Sequence, residues 1–262
     1  MKIGVCTKFE NINDAAAAGF DYLECNLSKL AQLPEEAFDA LYAESASFPI
    51  PVLRANGFIP GTIKVTGNDV NPTEIREYLD TALSRASKIG VKTAVFGSGG
   101  ARNVPEGFPV DAAYRQLISF LKEAASYAEK YGVVIAIEPL RASECNIINY
   151  VSEATILAAV IDSPFVTVLA DSFHMICGHE PFDAMVRAGS LLKHVHISHP
   201  LSDLSGRDFP REGDGEDYSA FIRKLREAGY AGTVSVEAGT KNFRHDAAEA
   251  ANLLRKLINN EN

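Results

Sequence analysis

Glu138, Asp171, His196 and Glu237 stand at, or one residue from, the ends of four short apolar runs: VVIAIE, VTVLAD, HVHI and TVSVE. Three carboxylates and one imidazole make an oxygen-rich donor set with a single nitrogen. Such a set suits a divalent ion, Mn²⁺ first, with Mg²⁺ or Co²⁺ next, over structural zinc, whose closed sites favour thiolate and imidazole. A single Glu at a strand end more often pairs with a cation or caps a helix. Four such residues at matching ends of consecutive units point to one shared site. Parallel strands that feed helices bring their C-terminal ends around one face.

Those runs belong to a longer alternation. Segments 2–7, 22–27, 50–57, 92–97, 133–138, 166–171, 193–198 and 232–237 read as strands, with helical stretches between them. The clearest helix carries Tyr114, Leu117, Ile118, Leu121, Ala125 and Ala128 on one face at the 3.6-residue period. Gly19, Gly90, Gly132 and Gly229 each follow a helical run just ahead of a strand, where a cap with positive φ belongs. Eight β/α units with neither a GxGxxG nor a Walker loop predict an α/β fold, a closed (β/α)₈ TIM barrel, over a doubly wound sheet. One domain over residues 1–262 suffices, since such barrels routinely exceed the usual domain length.

Composition narrows the function classes. The chain is 47% hydrophobic and can bury a large core, and its 34 acidic against 25 basic residues leave a net charge of −9. That charge opposes nucleic acid and anionic membranes as partners. No run reaches the ~18 apolar residues of a membrane helix, and MKIGVCTKFE enters a strand with no long apolar leader. Cys6, Cys25, Cys145 and Cys177 show no C-x-x-C spacing and no disulfide framework, which suits a reducing cytoplasm.

IEPLRASECNIINYVSEA at 137–154, VLADSFHM at 168–175, HVHIS at 194–198, DGEDYSAFIRKLREAGYAG at 214–232 and SVEA at 235–238 carry a family likeness. The chain resembles the xylose-isomerase-like sugar isomerase/epimerase superfamily, nearest to ketose 3-epimerases of the tagatose and psicose type, with hydroxypyruvate isomerases as near relatives. The likeness spans nearly the whole chain. Its motifs are specific for the barrel and metal site and less so for substrate. It implies that Glu138, Asp171, His196 and Glu237 hold the metal, that Glu138 and Glu237 double as the acid/base pair, and that Glu144 and His174 bind substrate. It also implies a small carbohydrate as partner, in a family where homo-oligomers, dimers or tetramers, are common.

The implied reaction is ketose 3-epimerisation, in which one Glu removes a proton to give an enediolate and the other returns one from the far side. A one-sided shuttle would give aldose–ketose isomerisation instead. A lyase on the same scaffold, a keto-inositol dehydratase or a 3-keto-glycoside eliminating enzyme, shares the enediolate. It needs an acid for the departing oxygen, for which His174 is the candidate. The remote alternative is an abasic-site endonuclease. Those enzymes add histidines at the ends of earlier strands, where this chain has RANGF and FGSGG.

After His196 the segment SHPLSDLSGRDFPREGDG (198–215) departs from the epimerase pattern, with Arg207 displaced and His199 added. Arg207 reads either as a substrate contact through charge-assisted hydrogen bonds or as a solvated loop cation. Asn56 ends the third strand as a further substrate-binding candidate. Glu24 ends the second, either as an internal ion pair or as a ligand contact. GSGGAR at 97–102 either admits a ligand to backbone amides or simply turns, and its Arg102 offers an anion contact. Cys6 lines the pocket as a small hydrophobe. His194 shares a strand face with His196 and packs behind it, while His179 and His245 belong on the surface.

Overall fold

The run VTVLAD at 166–171 is buried along its whole length, as a parallel strand covered by helices must be. In the computed structural model, which describes residues 1–259, ten segments are extended. They are β1 (Lys2–Cys6), β2 (Tyr22–Asn26), β3 (Val52–Asn56), β4 (Thr93–Phe96), β5 (Val134–Ile137), β6 (Val166–Asp171), β7 (Leu192–Ile197), β8 (His199–Pro200), β9 (Arg207–Asp208) and β10 (Thr233–Val236). Eight of them close a ring in the order β1-β10-β7-β6-β5-β4-β3-β2, and β8 pairs antiparallel with β9 in the loop after β7. The expected barrel forms. The hairpin is an addition that two-residue strands leave unmarked in the sequence.

The helices are α1 (Ile12–Ala18), α2 (Leu27–Ala31), α3 (Glu35–Ser45), α4 (Pro72–Lys88), α5 (Gly99–Arg102), α6 (Val110–Tyr131), α7 (Val151–Ile161), α8 (Ser172–Cys177), α9 (Asp183–Ala188), α10 (Tyr218–Glu227) and α11 (Phe243–Asn259). On α6, Leu117, Leu121, Ala125 and Ala128 are buried as the periodicity predicts, joined by Phe120 and Ala124, while Tyr114 and Ile118 pack at the edge of the core. Gly132 closes α6 in the left-handed region at φ 66°, as its place in the sequence requires. Short α2 and α8 follow β2 and β6 directly and help to wall the barrel mouth. Among the described residues no helix is long and apolar enough to cross a membrane.

Inside the barrel the filling is asymmetric. Val95, Ala136 and Leu169, from β4, β5 and β6, form an apolar cluster apart from the main core. The other side is polar: Tyr22 and Ser235 share a hydrogen bond of 2.8 Å, and Arg54 Nε donates to Thr233 Oγ1 at 3.0 Å. Register then positions the chemistry. Asp171 pairs with His196, and His196 with Ser235. The β2–β3 register shifts between Leu23 and Glu24, the kind of irregularity that re-aims a side chain.

Candidate metal centre

Glu138 follows β5, Asp171 closes β6, His196 lies near the end of β7 and Glu237 follows β10, so the ring gathers all four at one end. One donor atom from each lies within 4.8 Å of all the others. His196 Nδ1 is 3.1 Å from Glu138 Oε1, 3.7 Å from Asp171 Oδ2 and 3.1 Å from Glu237 Oε2. An octahedral ion with bonds of about 2.1 Å sets neighbouring donors about 3 Å apart. The spacing fits.

The other face of the imidazole decides which nitrogen is free. His196 Nε2 lies 3.0 Å from Glu24 Oε1, and His194 Nε2 lies 2.8 Å from Glu24 Oε2, all three residues being buried. A carboxylate only accepts, so both Nε2 atoms carry hydrogen and His196 Nδ1 is the nitrogen turned to the three acids. Carboxylate-backed imidazoles of this kind orient metal ligands and raise their basicity. His194 completes its pairing at Nδ1, 2.8 Å from Thr233 Oγ1, and burial holds its pKa below the usual value. Of the two readings of Glu24, the internal ion pair is the one observed. Cys6 Sγ stands 4.0 Å from His196 Nε2. Cys6, Glu24 and His196 are also close enough to share an ion, but burial and the Glu24 charge push the Cys6 thiol well up, leaving a poor ligand.

Arg207, carried on β9, reaches in from the hairpin. Its Nη1 is 2.5 Å from Asp171 Oδ2 and its Nη2 is 2.8 Å from Glu237 Oε2, which excludes the solvated loop cation. Asn56 Nδ2 donates to Glu237 Oε1 at 2.7 Å. Asp171 Oδ1 accepts from the Phe173 N–H at 2.7 Å and so caps α8, leaving Oδ2 for a cation. Burial raises the Glu138 pKa, with the Glu237 charge adding to it. Burial also opposes charge on Glu237, but Arg207 and His196 outweigh it and bring that carboxyl down to about 2. Burial likewise opposes charge on His196, yet Glu237 and Glu24 hold its pKa well above the ordinary imidazole value.

Two observations test whether a divalent ion suits this set. Glu237 Oε2 is buried and, apart from its ion pair with Arg207, has no hydrogen-bond partner among the described residues. A Cβ on Gly97 would stand 2.2 Å from Glu138 Oε2, so the glycine keeps open the space that the carboxylate uses. Together with the oxygen-rich donors and the imidazole nitrogen aimed among them, these features fit a bound divalent cation.

A profile of the xylose isomerase-like TIM barrel family matches residues 12–257. The chain belongs to that family. It is 27% identical over 173 residues to the D-psicose 3-epimerase of Agrobacterium fabrum, across 63% of this chain and 56% of that protein. To the inosose isomerase of Bacillus subtilis it is 28% identical over 142 residues, across 51% of this chain and 50% of that one. The match thus spans about half the length of these curated relatives. In fold, it superposes on a D-psicose 3-epimerase crystallised with D-fructose at a TM-score of 0.84 and 20% identity, over 99% of this chain and 100% of that one. The 3-keto-D-glucoside 4-epimerase of E. coli gives 0.81 at 20% identity, over 98% and 99% of the two chains. The IolI protein with a binding zinc atom gives 0.76 at 19%, over 98% of each.

Around this family's barrel end, the remaining residues sort themselves by contact. His174 Nδ1 accepts from the Arg141 N–H at 3.2 Å, which leaves its Nε2 as a buried donor with no partner. Glu144 is exposed at the rim and pairs with Arg141 Nε at 2.6 Å, outside the cluster of Glu138, Asp171, His196 and Glu237. Arg102 offers no anion contact: it is fully buried and donates to the carbonyls of Phe96 and Glu138 at 2.7 Å each, bracing the ends of β4 and β5. Of the glycines before it, Gly97 makes room for the Glu138 side chain, while Gly99 and Gly100 lie close to the backbone of Glu144 and Gly61. His179 and His245 are exposed as expected. Arg141 escapes the sequence reading. It bonds Glu144 and the Leu204 carbonyl and stacks at 4.7 Å over Phe173, whose ring Arg207 also covers at 5.2 Å. Its sequence trace is an Arg three residues before Glu144, a spacing too common to single out.

Proposed function

We propose that this protein is a divalent-metal-dependent isomerase or epimerase of a small keto-sugar, with 3-epimerisation of a ketose as the reaction its site supports best. One observation carries the reading. Glu138 and Glu237 each approach the same imidazole nitrogen to 3.1 Å, but from β5 and β10, three places apart in a ring of eight. Two carboxylates therefore flank one point from different sides. When bound, the ion would polarise the ketose carbonyl and its neighbouring hydroxyl, making the adjacent C–H proton easier to remove. Mn²⁺ suits the donor set best, with Mg²⁺ or Co²⁺ next.

The chain's own groups divide the proton work. Glu237, held ionised by Arg207 and steered by Asn56, is the base. Glu138, pushed up by burial, is the donor that returns a proton from the other side, since environments that drive two carboxyls apart assign acid and base. His174 Nε2–H and the Arg141–Glu144 pair offer hydrogen bonds to substrate oxygens. The named activities of the relatives, D-psicose 3-epimerase and inosose isomerase, support the substrate class. All four cysteines are free, in keeping with a cytoplasmic enzyme.

The unpartnered His174 donor favours one second reading, a lyase in which that group protonates a departing oxygen. Abasic-site cleavage loses support, because the residues after β3 and β4 are Gly57 and Gly97, not histidines. The test is to incubate Mn²⁺-loaded protein with ketoses, keto-inositols and 3-keto-glycosides in D₂O and follow label and products by NMR. Deuterium beside the carbonyl at constant mass marks epimerisation, and loss of water or aglycone marks the lyase. Glu138→Gln and Glu237→Gln should both abolish exchange; an active Glu237→Gln protein removes the two-base mechanism.

A further inference from the structure

Arg207 meets the centre from a hairpin that has little of its own to hold it. β8 and β9 pair only at His199 with Asp208 and at Pro200 with Arg207, and a lone two-stranded ribbon is marginal in water. The turn between them, 201–206, closes on itself: the Leu201 N–H donates to the Gly206 carbonyl and the Leu204 N–H to the Leu201 carbonyl. Among the described residues, the hydrogen bonds that tie this turn to the rest of the chain come from one side chain. Arg141 Nη1 donates to the Leu204 carbonyl, and its Nη2 to the Ser205 carbonyl at 3.5 Å. Leu204 itself lies in the left-handed region at φ 56°, which a leucine keeps only where its surroundings impose it.

The root of Arg141 is fixed in the loop after β5. Its main-chain N–H donates to His174 Nδ1 at 3.2 Å, its Nε donates to Glu144 Oε1 at 2.6 Å, and its guanidinium carbon lies 4.7 Å from the centre of the Phe173 ring. Phe173 is buried, its ring centre is 5.2 Å from the Arg207 guanidinium, and its N–H donates to Asp171 at 2.7 Å. Arg141 therefore grips the turn just ahead of Arg207 and shares an aromatic ring with it. Its planar fork serves a carboxylate and two carbonyls at once, which the single ammonium of a lysine does not reproduce.

We propose that Arg141 is a positioning residue: by fastening the β8–β9 hairpin to the loop after β5, it holds Arg207 across Asp171 and Glu237. This rests on the proton-transfer reading above, which makes Glu237 the base, and adds the residue that keeps the base's partner in place.

Hydrogen–deuterium exchange read by mass spectrometry tests the fastening without any sugar. In Arg141→Met and in Arg141→Lys, the peptide spanning 199–208 should lose protection by about tenfold, the worth of a hydrogen bond to a charged group, while β5 and β6 keep theirs. Label uptake into the ketose by Mn²⁺-loaded enzyme tests the consequence. Arg141→Met should slow turnover by about 10²-fold, the scale of an ångström's misplacement, with the loss in kcat and KM little changed. In an Arg207→Ala background the same substitution should cost no more than about twofold, the scatter between uncoupled changes. In a Glu144→Gln background it should keep its full cost. Unaltered hairpin exchange in both Arg141 variants overturns the proposal. So does a loss of kcat that persists beside Arg207→Ala, or one that vanishes beside Glu144→Gln, which would make Arg141 a support for Glu144 alone. Wild-type enzyme that labels no sugar overturns the proton-transfer reading instead, and the hairpin peptide still decides whether Arg141 holds the strand that carries Arg207.

Discussion

Glu24→Gln is the sharpest probe of the centre, because it changes one charge and almost no volume. The Glu24 carboxylate accepts from His196 at 3.0 Å and from His194 at 2.8 Å. A glutamine has one oxygen to offer. If that oxygen keeps His196, the amide NH₂ faces His194 Nε2, and His194 can change tautomer because the Thr233 carbonyl lies 3.1 Å from its Nδ1. The geometry survives and the charge does not. Hydrogen bonds to a charged group contribute ~1.5–3 kcal/mol against ~0.5–1.5 for neutral ones, so the backing of His196 weakens by about 1.4 kcal/mol, or about tenfold in metal affinity. That sits at the low end of the 10–100-fold range for groups that support metal ligands. Calorimetric titration of Mn²⁺ into metal-stripped wild type and variant reads the difference. Since Glu24 also raises the His196 pKa, its loss eases proton competition for Nδ1, so the deficit should widen as pH rises. Equal affinity at every pH would refute the reasoning.

Three further outcomes follow from other contacts. Gly97→Ala places a Cβ 2.2 Å from Glu138 Oε2; the carboxylate must move, and exchange in D₂O should fall by about 10²-fold, the scale of an ångström's misplacement, with the circular dichroism unchanged. A Gly97→Ala enzyme at wild-type rate would show that Glu138 is not held for catalysis. Arg207→Ala removes the guanidinium that bridges Asp171 and Glu237; metal-free protein should lose about 2 kcal/mol, after discounting a buried-pair loss for partial exposure, seen as roughly 4–8 °C in Tm. Added Mn²⁺ should recover most of that, so an unchanged metal-free Tm would contradict the picture. Asp214 ties down the loop beyond the hairpin: burial opposes its charge, but Tyr218 Oη and the N–H groups of Arg211 and Glu216 hold its pKa below the usual aspartate value. A depressed pKa gives stability that is full above the ordinary carboxylate range and is lost as pH falls through the folded value. Wild type should therefore outlast Asp214→Asn in melts at neutral pH and converge with it in acid; a gap independent of pH would rule this out.

The barrel was readable because its signals are local. Strand runs such as VTVLAD, the α6 stripe from Leu117 to Ala128 and the glycine that ends α6 each declare themselves within a few residues. The clustering of the four candidate ligands was readable for a related reason: a strand end defines a place in the ring, so Glu138, Asp171, His196 and Glu237 inherit proximity from the topology. Arg102 misled, since an Arg beside glycines looks like an anion contact until the carbonyls of Phe96 and Glu138 close around it. Arg207 was ambiguous, because whether a loop arginine reaches solvent or a carboxylate depends on a hairpin that no periodicity marks.

Sequence alone thus determined the closed ring, the end at which chemistry gathers and the donor types available there, all consequences of repeat and period. The folded chain decided the rest: that Glu24 backs His196 from 172 positions away, that Gly97 makes room for Glu138, and that Arg141 bonds the turn of the hairpin that carries Arg207. These are distances between strands and loops remote in the chain. They exist only once the barrel has closed, so nothing in the neighbourhood of any one residue could encode them.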